Sequence, residues 1–289
     1  MNFEPITLAQ RDTIEQSRMR YGHTVSAWHA FHSLWLWQDV LKLTVLADDG
    51  FYAVRYGAKG DHAYFMPCGN PDRIKAFLDS LRETGSFRLY YLREQDKELL
   101  EAYAPGQFQF TYDRGGSEYL YDIAEQCALS GTKFKKNRQQ MHRLQKSSAV
   151  EVKPLTAETL PDAAEIEKLW FAQKESDLND RVRRIADFYA AFRDCGMQGL
   201  VIHQNGMPTA FIAGMPVSDT VFDACLLRIS GDTPDLGLFA CHALMQQISG
   251  EYPVLNAEED MGLPGLRTFK QKMHPCGMAD LWEAIYETN

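Results

Sequence analysis

The chain has 289 residues, 45% of them hydrophobic and 24% charged, with a formal net charge of −9. That is the composition of a soluble globular protein with enough chain for one large domain or two of ordinary size. The acidic balance argues against a general nucleic-acid coat or a polybasic membrane anchor, and it leaves room for a local basic patch.

Thr7-Leu8-Ala9-Gln10 is a capping box that opens a first helix running to about Arg20. The aromatic stretch Phe31-His32-Ser33-Leu34-Trp35-Leu36-Trp37 is expected to be buried and irregular. Strand-like runs follow at 43–46, 51–56 and 62–66, joined by Asp49-Gly50 and Lys59-Gly60-Asp61 turns. Asn70-Pro71 opens a helix with Ile74, Phe77, Leu78 and Leu81 on one face, stopped by Gly85. A strand at 87–92, a helix through 99–103, and strands near 108–112 and 118–123 complete the first half.

In the second half a strand at 150–153 leads to two helices. One carries Ile166, Leu169 and Trp170; the other carries Val182, Ile185, Phe188, Tyr189 and Phe192, with Cys195-Gly196 as its stop. A hairpin follows, 199–203 and 209–215 around Asn205-Gly206, then a strand at 221–229. A helix at 236–249, a strand at 254–260, a short basic helix and a last strand at 279–286 end the chain.

Strand, two helices, three antiparallel strands, helix, strand, helix, strand is an order that resembles the GNAT-like acyltransferase fold. The first half carries much of the same order without a residue-level repeat. The expectation is an α+β protein of tandem GNAT-like (acyl-CoA N-acyltransferase) domains, with mixed, mostly antiparallel sheets flanked by helices. Residues 1–125 form the first domain, 126–148 a basic connecting helix, and 149–289 the second. A single large α+β domain is the alternative.

The most informative stretch is Leu255 to Pro275. Asn256, Glu258 and Asp260 are spaced by two at a strand end, so they are expected on one side of a sheet. A Gly262-Leu263-Pro264-Gly265 turn follows, then a short helix whose Leu266, Phe269 and Met273 can face a core. On another face Arg267, Lys270 and His274 line up at steps of three and four. These cations sit in the first turns of the helix, where the macrodipole disfavours them, so an anionic partner is expected, either the acids or a ligand. An ordinary salt-bridged corner has the same pattern.

Between Gln126 and Val150 no acid occurs, while Lys133, Lys135, Lys136, Arg138, Arg143 and Lys146 supply six positive charges. Phe134, Met141 and Leu144 form a narrow apolar stripe at helical spacing. Such a segment reads either as a solvated face or as a surface for tRNA or another polyanion. Just upstream, Tyr119 and Tyr121 alternate on a strand, as core residues or as stacking platforms for a base or an acyl group. Before the helix at 236, where coenzyme A pyrophosphate would bind, Ser230-Gly231-Asp232-Thr233-Pro234-Asp235 holds two acids and no Arg or Gln. Cys241 and His242 are adjacent on a helix and point to different sides, so they are not a nucleophile–base pair. Six cysteines are scattered without a Cys-x-x-Cys pair, which reads as reduced thiols in a cytoplasmic protein with no metal site. No run of 18 apolar residues occurs and the N-terminus lacks a signal-peptide pattern, so no transmembrane segment is expected.

The spacing Asn256-x-Glu258-x-Asp260-x-Gly262-x-x-Gly265-Leu266-Arg267-x-x-Lys270, ending in His274-Pro275, resembles the signature of a bacterial family related to the C-terminal catalytic domain of phosphatidylglycerol lysyltransferase. Trp35-Leu36-Trp37, Tyr119-Leu120-Tyr121, Leu129-Ser130-Gly131-x-Lys133 and the basic helix extend the resemblance over most of the chain. It implies tandem GNAT-like domains akin to Fem-type aminoacyl-tRNA-dependent transferases. Three positions depart from the family. Its Lys-Arg-Asn is here Lys136-Asn137-Arg138, its Glu-Lys pair is Leu227-Arg228, and its Gly-Ala-Tyr is Gly237-Leu238-Phe239.

The function expected is transfer of an activated amino acid, with aminoacyl-tRNA or acyl-CoA as donor, to an amine or hydroxyl on a small-molecule or lipid acceptor. Asp260, with Glu258 behind it, would hold or deprotonate the acceptor. Arg267 and Lys270 would bind a phosphate or carboxylate or stabilise the oxyanion. Asn256, Arg228, Tyr119 and Tyr121 are candidate substrate contacts, and Lys133, Lys135, Lys136 and Arg138 are candidates for the polyanion. A non-catalytic GNAT-like protein that binds an anion or nucleic acid is the alternative, and a coenzyme A-dependent N-acetyltransferase a second.

Overall fold

The computed structural model describes residues 1–173, 185–231, 233 and 235–288. Val182 of the expected second helix, and Asp232 and Pro234 of the loop before 236, lie outside the described residues. Two compact units emerge, and they do not follow the chain linearly. The first takes Met1–Glu118, Glu259–Leu263 and Met278–Asn289; the second takes Tyr119–Glu258 and Pro264–Gly277.

The first unit begins with α1 (Arg11–Arg20) and α2 (Phe31–Leu41). The Thr7 amide donates to Gln10 Oε1 at 2.7 Å, which fixes the chain ahead of α1. The stretch expected to be irregular is helical: α2 carries Trp35-Leu36-Trp37. Its apolar residues leave only one side for solvent, so the period-3.6 signal is masked and burial decides the conformation. Next come β1 (Leu43–Asp48), β2 (Phe51–Tyr56), β3 (Ala63–Phe65), β4 (Cys68–Gly69), α3 (Pro71–Thr84), β5 (Phe87–Leu92), α4 (Glu94–Tyr103) and β6 (Phe108–Tyr112). Asn70 Oδ1 caps α3 by accepting from the Asp72 amide at 2.9 Å, and Gly85 ends that helix at φ +114°. Ile74, Phe77, Leu78 and Leu81 of α3 pack with Phe51, Phe87 and Leu89 of the sheet.

The second unit starts with β7 (Glu118–Asp122), α5 (Ile123–Ala128) and α6 (Lys135–Ser147). It continues through β8 (Val150–Pro154), α7 (Leu160–Gln173), α8 (Ile185–Asp194), β9 (Gln198–Gln204), β10 (Met207–Pro216) and β11 (Val221–Ile229). Then come α9 (Leu236–Ile248), β12 (Val254–Glu259), α10 (Pro264–Lys272) and β13 (Gly277–Ala279), and the chain closes with β14 (Trp282–Tyr286). Its sheet runs β13-β7-β12-β11-β10-β9-β8, while the first unit's sheet runs β1-β2-β3-β5-β14-β6 with β4 beside β2. The last strand expected from the sequence is therefore divided. β13 joins the second sheet and β14 inserts antiparallel between β5 and β6.

β10 is an interior strand of the second sheet, between β11 and β9. Its run Ala210–Met215 is buried without alternation because α7 and α9 both pack against the strand. A bulge falls between Ala213 and Met215, and there Gly214 is mandatory: a Cβ on it would lie 1.8 Å from the Asp223 carbonyl oxygen.

Candidate active site and its charged surroundings

Parallel strands β11 and β12 pair over three rungs only, Val221 with Val254, Phe222 with Leu255, and Asp223 with Asn256. Beyond that rung β11 continues to Ile229 and β12 to Glu259 without further pairing to each other. The last rung is polar and fully buried on both sides. Asn256 Oδ1 accepts from the Glu258 amide at 2.8 Å, and Glu258 has a left-handed backbone, φ +58°. That turn breaks the alternation expected for Asn256, Glu258 and Asp260, so the three do not form one continuous strand face.

Within the second unit, α10 reaches back to this point. Lys270 is only 7% exposed; its Nζ donates to the Ala257 carbonyl and lies 5.6 Å from the centroid of the Tyr119 ring. A buried ammonium is costly unless it is hydrogen-bonded, and a carbonyl with an aromatic face offsets that cost. The Tyr121 hydroxyl donates to the Lys270 carbonyl at 2.8 Å. Tyr119 and Tyr121 are thus core residues beneath α10, not exposed platforms for a base. Burial pushes the neighbouring Cys241 thiol up to about 12, against the pull of the Lys270 charge, so it is inert at neutral pH. Arg267 lies one turn earlier, half-buried. Because α10 has nine residues, Lys270 and Lys272 belong to its last turn, where the dipole favours cations. The expected dipole conflict is absent for them. His274 lies beyond the helix at φ +56°, its ring edge-on to Phe134 at 5.2 Å.

Within the first unit, Asp260 is fully buried. Its Oδ1 accepts from the Gly262 amide at 2.9 Å and its Oδ2 from Arg114 Nη1 at 3.2 Å. Met261 at φ +52° and Gly262 at φ +70° shape the turn, and the Met261 amide donates to the Gly115 carbonyl at 3.0 Å. Arg114 escaped the sequence reading because it stands 146 residues from its partner. The one signal was the Asp113-Arg114-Gly115-Gly116 turn after β6. There the Gly116 amide donates to Asp113 Oδ1 at 2.8 Å, and a Cβ on Gly116 would lie 2.2 Å from Asp113 Oδ2.

Arg228 belongs to a different cluster of the second unit. Its Nε lies 3.0 Å from Glu167 Oε2, at ion-pair distance but not aligned as a hydrogen bond, and its guanidinium stacks 4.1 Å from the Trp170 ring centroid. Both charged groups are buried. An acid does meet Arg228, contributed by α7.

The basic segment forms α6 from Lys135, with Phe134 at its N-cap and Asn137, Met141 and Leu144 buried along the helix. Asn137 Nδ2 donates to the Lys272 carbonyl at 3.1 Å. Three of the six cations have protein partners. Lys133 pairs with Glu125 at 2.6 Å, Arg143 pairs with Asp235, and Arg138 donates to the carbonyls of Leu129 and Gly131. Among the described residues, Lys135, Lys136 and Lys146 make no ion pair and face solvent. No cluster of three or more His, Cys, Asp or Glu among the described residues could hold a metal, and no helix there is long and apolar enough to cross a membrane.

A model of the family described as phosphatidylglycerol lysyltransferase, C-terminal, matches residues 22–282. The chain belongs to this family. Among solved structures, this family member is similar to a conserved protein of unknown function from Bacteroides thetaiotaomicron, with 28% identity and a TM-score of 0.87 over 99% of this chain and 100% of that one. It shares the fold of L-PGS from Bacillus licheniformis at 17% identity and a TM-score of 0.67, covering 99% of this chain and 93% of that one. A tandem GNAT protein from the clavulanic acid biosynthesis pathway has the fold at 9% identity and a TM-score of 0.53, covering 98% of this chain and 97% of that one. No curated protein matches the chain. The fold is α+β and GNAT-like, with two mixed sheets flanked by helices. Family and fold support an aminoacyltransferase-like role.

Proposed function

We propose that the protein transfers an aminoacyl group from aminoacyl-tRNA to an amine or hydroxyl acceptor. The observation that carries this reading is the parting of β11 and β12 at a rung of buried polar residues, in a chain of the lysyltransferase family. In the step proposed, the acceptor nitrogen or oxygen attacks the aminoacyl ester carbonyl. The ester C–O bond then breaks, and the acceptor's proton leaves with the ribose oxygen as the tRNA hydroxyl. Asp260, held by Arg114, positions or deprotonates the acceptor. Within the second unit, Arg267 and Lys270 stabilise the oxyanion or hold an anionic group, with Asn256 and Tyr119 supporting them. Lys135 and Lys136 meet the tRNA backbone, with Lys133 and Arg138 ordering the loop ahead of them. The six free thiols and the donor's location fit the cytoplasm.

The test is transfer of a radiolabelled amino acid from a panel of aminoacyl-tRNAs to phosphatidylglycerol vesicles and to small amines, with acyl-CoA donors run in parallel. Asp260→Asn should lower transfer by about a hundred-fold or more, the scale of a lost general acid–base group. Failure of every donor to react, with Asp260→Asn leaving ligand affinity unchanged, would sink the catalytic reading.

A second reading is a non-catalytic binder of an anionic ligand. What favours it is that Asp260 and Lys270 already have partners, in Arg114 and the Gly262 amide for one and the Ala257 carbonyl for the other. Its mark is a salt-dependent affinity, removed by Lys135→Gln with Lys136→Gln, and no turnover. A coenzyme A-dependent acetyltransferase would instead be thermally stabilised by acetyl-CoA.

A further inference from the structure

Away from the corner at 254–274, the second unit carries a groove of about 590 Å³ between α6 and α9. Two helix faces build it. Arg138, His142 and Gln145 project from one row of α6 at steps of four and three, and His242 and Gln246 from one row of α9 at a step of four, with Gln247 beside them. Phe239, Leu200 and Val152 line its apolar part. No acidic side chain lines the groove, although the chain carries 39 acids against 30 Lys and Arg. Lys135, one turn before Arg138 on the same row of α6, extends the positive rim. The His242 Nδ1 lies 3.1 Å from the Gln126 carbonyl, which as an acceptor fixes the proton on that nitrogen and leaves Nε2 as an acceptor. Burial lowers the His242 pKa, so the ring is neutral near pH 7. The side chains of His142, Gln145, Gln246 and Gln247 make no hydrogen bond within the described residues.

We infer that the α6–α9 groove is a nucleotide-binding site, taking one phosphate on Lys135 and on the Arg138 guanidinium, whose Nη1 also holds the Leu129 and Gly131 carbonyls, and one base against His142 over the groove's apolar floor. Three features select that chemistry. The volume lies in the range of small-ligand sites, about 300–1,000 Å³, and holds one nucleotide with its waters. Glutamine amides offer a donor and an acceptor side by side, the pairing that base edges require. An exposed imidazole face beside a cationic rim, over an apolar floor, is what an unstacked base and its phosphate use. A free fatty acid or a peptide carboxylate would use the cations and leave the amide rows without a partner. The nucleotide is either free or part of an RNA end. The second source rests on the tRNA donor proposed above; the first does not.

The experiment titrates the full chain with 5′-AMP, adenosine, inorganic phosphate and deacylated tRNA, reading affinity by calorimetry. Ala243→Trp fills the groove from α9, and Gln246→Ala and His142→Ala remove exposed side chains the fold does not use. Thermal unfolding controls for folding. We expect 5′-AMP to bind more tightly than adenosine or phosphate alone. Ala243→Trp should abolish that binding, and His142→Ala should weaken it roughly five-fold or more, the scale of a lost stacking contact. A parallel loss of tRNA affinity in the same variants assigns the site to an RNA end; unchanged tRNA affinity assigns it to a free nucleotide. Absence of 5′-AMP binding together with unchanged tRNA affinity in Ala243→Trp overturns the inference, as does 5′-AMP binding that none of the three variants alters. Lack of aminoacyl transfer with groove binding intact removes the catalytic proposal and leaves this one standing.

Discussion

The ion pair between Arg114 and Asp260 offers a quantitative test of the corner. At 3.2 Å two unit charges attract by about 5 kcal/mol at an effective dielectric constant of 20, and by about 1.3 kcal/mol in bulk water. Arg114 keeps 34% of its side-chain surface in solvent whereas Asp260 has none, so the pair lies between those limits. Desolvation of the carboxylate offsets part of the attraction. A net coupling of about 2 kcal/mol is expected. The perturbation is a double-mutant cycle of Asp260→Asn, Arg114→Gln and the double variant. Asparagine retains the acceptor for the Gly262 amide, so the cycle isolates the charge interaction from the turn. Urea unfolding of the four proteins gives the coupling as the departure from additivity. Both residues lie in the first unit, so the effect should appear in the transition of that unit. Additivity within about 0.5 kcal/mol would refute the argument that the arginine holds the carboxylate in place.

Three other outcomes follow from the same kind of reasoning. Replacing either Arg228 or Glu167 alone by leucine leaves a buried unpaired charge and should cost about 3–5 kcal/mol, while replacing both should cost far less; thermal unfolding of the three variants checks this. Burial, and secondarily the Arg18 charge, lowers the His32 pKa from 6.5 to about 3. Its folded value is depressed, so its stabilisation is complete above pH 6.5 and is lost as the pH falls toward 3, about 2 kcal/mol of it by pH 5. His23 and His29, also lowered by burial, act in the same direction, and His32→Gln should flatten the stability–pH profile measured by urea unfolding. Gly214→Ala must displace the Asp223 carbonyl from a Cβ only 1.8 Å away, so a loss of about 3 kcal/mol or loss of soluble protein is expected, and a fully stable variant would contradict the β10 register.

Legibility in the sequence followed locality. Capping at Asn70, the stop at Gly85, the hairpin at Asn205-Gly206 and the apolar stripe of α6 are signals carried by residues within one or two turns of each other, and the structure has each of them. What the sequence hid needed contacts between distant segments. β14 leaves the second sheet for the gap between β5 and β6, where Ala284 and Tyr286 find an apolar core, and no local pattern distinguishes that from closing its own repeat. Trp35-Leu36-Trp37 was ambiguous for a related reason, since a helix with most of its circumference buried has no periodic polar face. At the candidate site the spacing by two at 256, 258 and 260 was a sound strand signal, undone by the left-handed backbone of Glu258. Arg114, which pairs with Asp260, belongs to a turn 146 residues earlier in the sequence.

Leu227 looked like the most damaging departure from the family pattern, because it stands where the resemblance expects an acid beside Arg228. Strand geometry changes its meaning. Adjacent residues on β11 point to opposite faces. Arg228 faces α7, where Glu167 and Trp170 receive it. Leu227 shares the other face with Ile229, whose Cδ1 would be 3.4 Å from a Cβ on Gly237 at the start of α9. An acid at 227 would therefore face α9 and could not be the partner of the Arg228 guanidinium. Replacing it with leucine leaves the ion pair intact and makes the α9 side of the strand apolar. The altered chemistry belongs to the α9 side of the strand, next to the stretch where β11 and β12 have parted, and leaves the charged cluster under α7 intact.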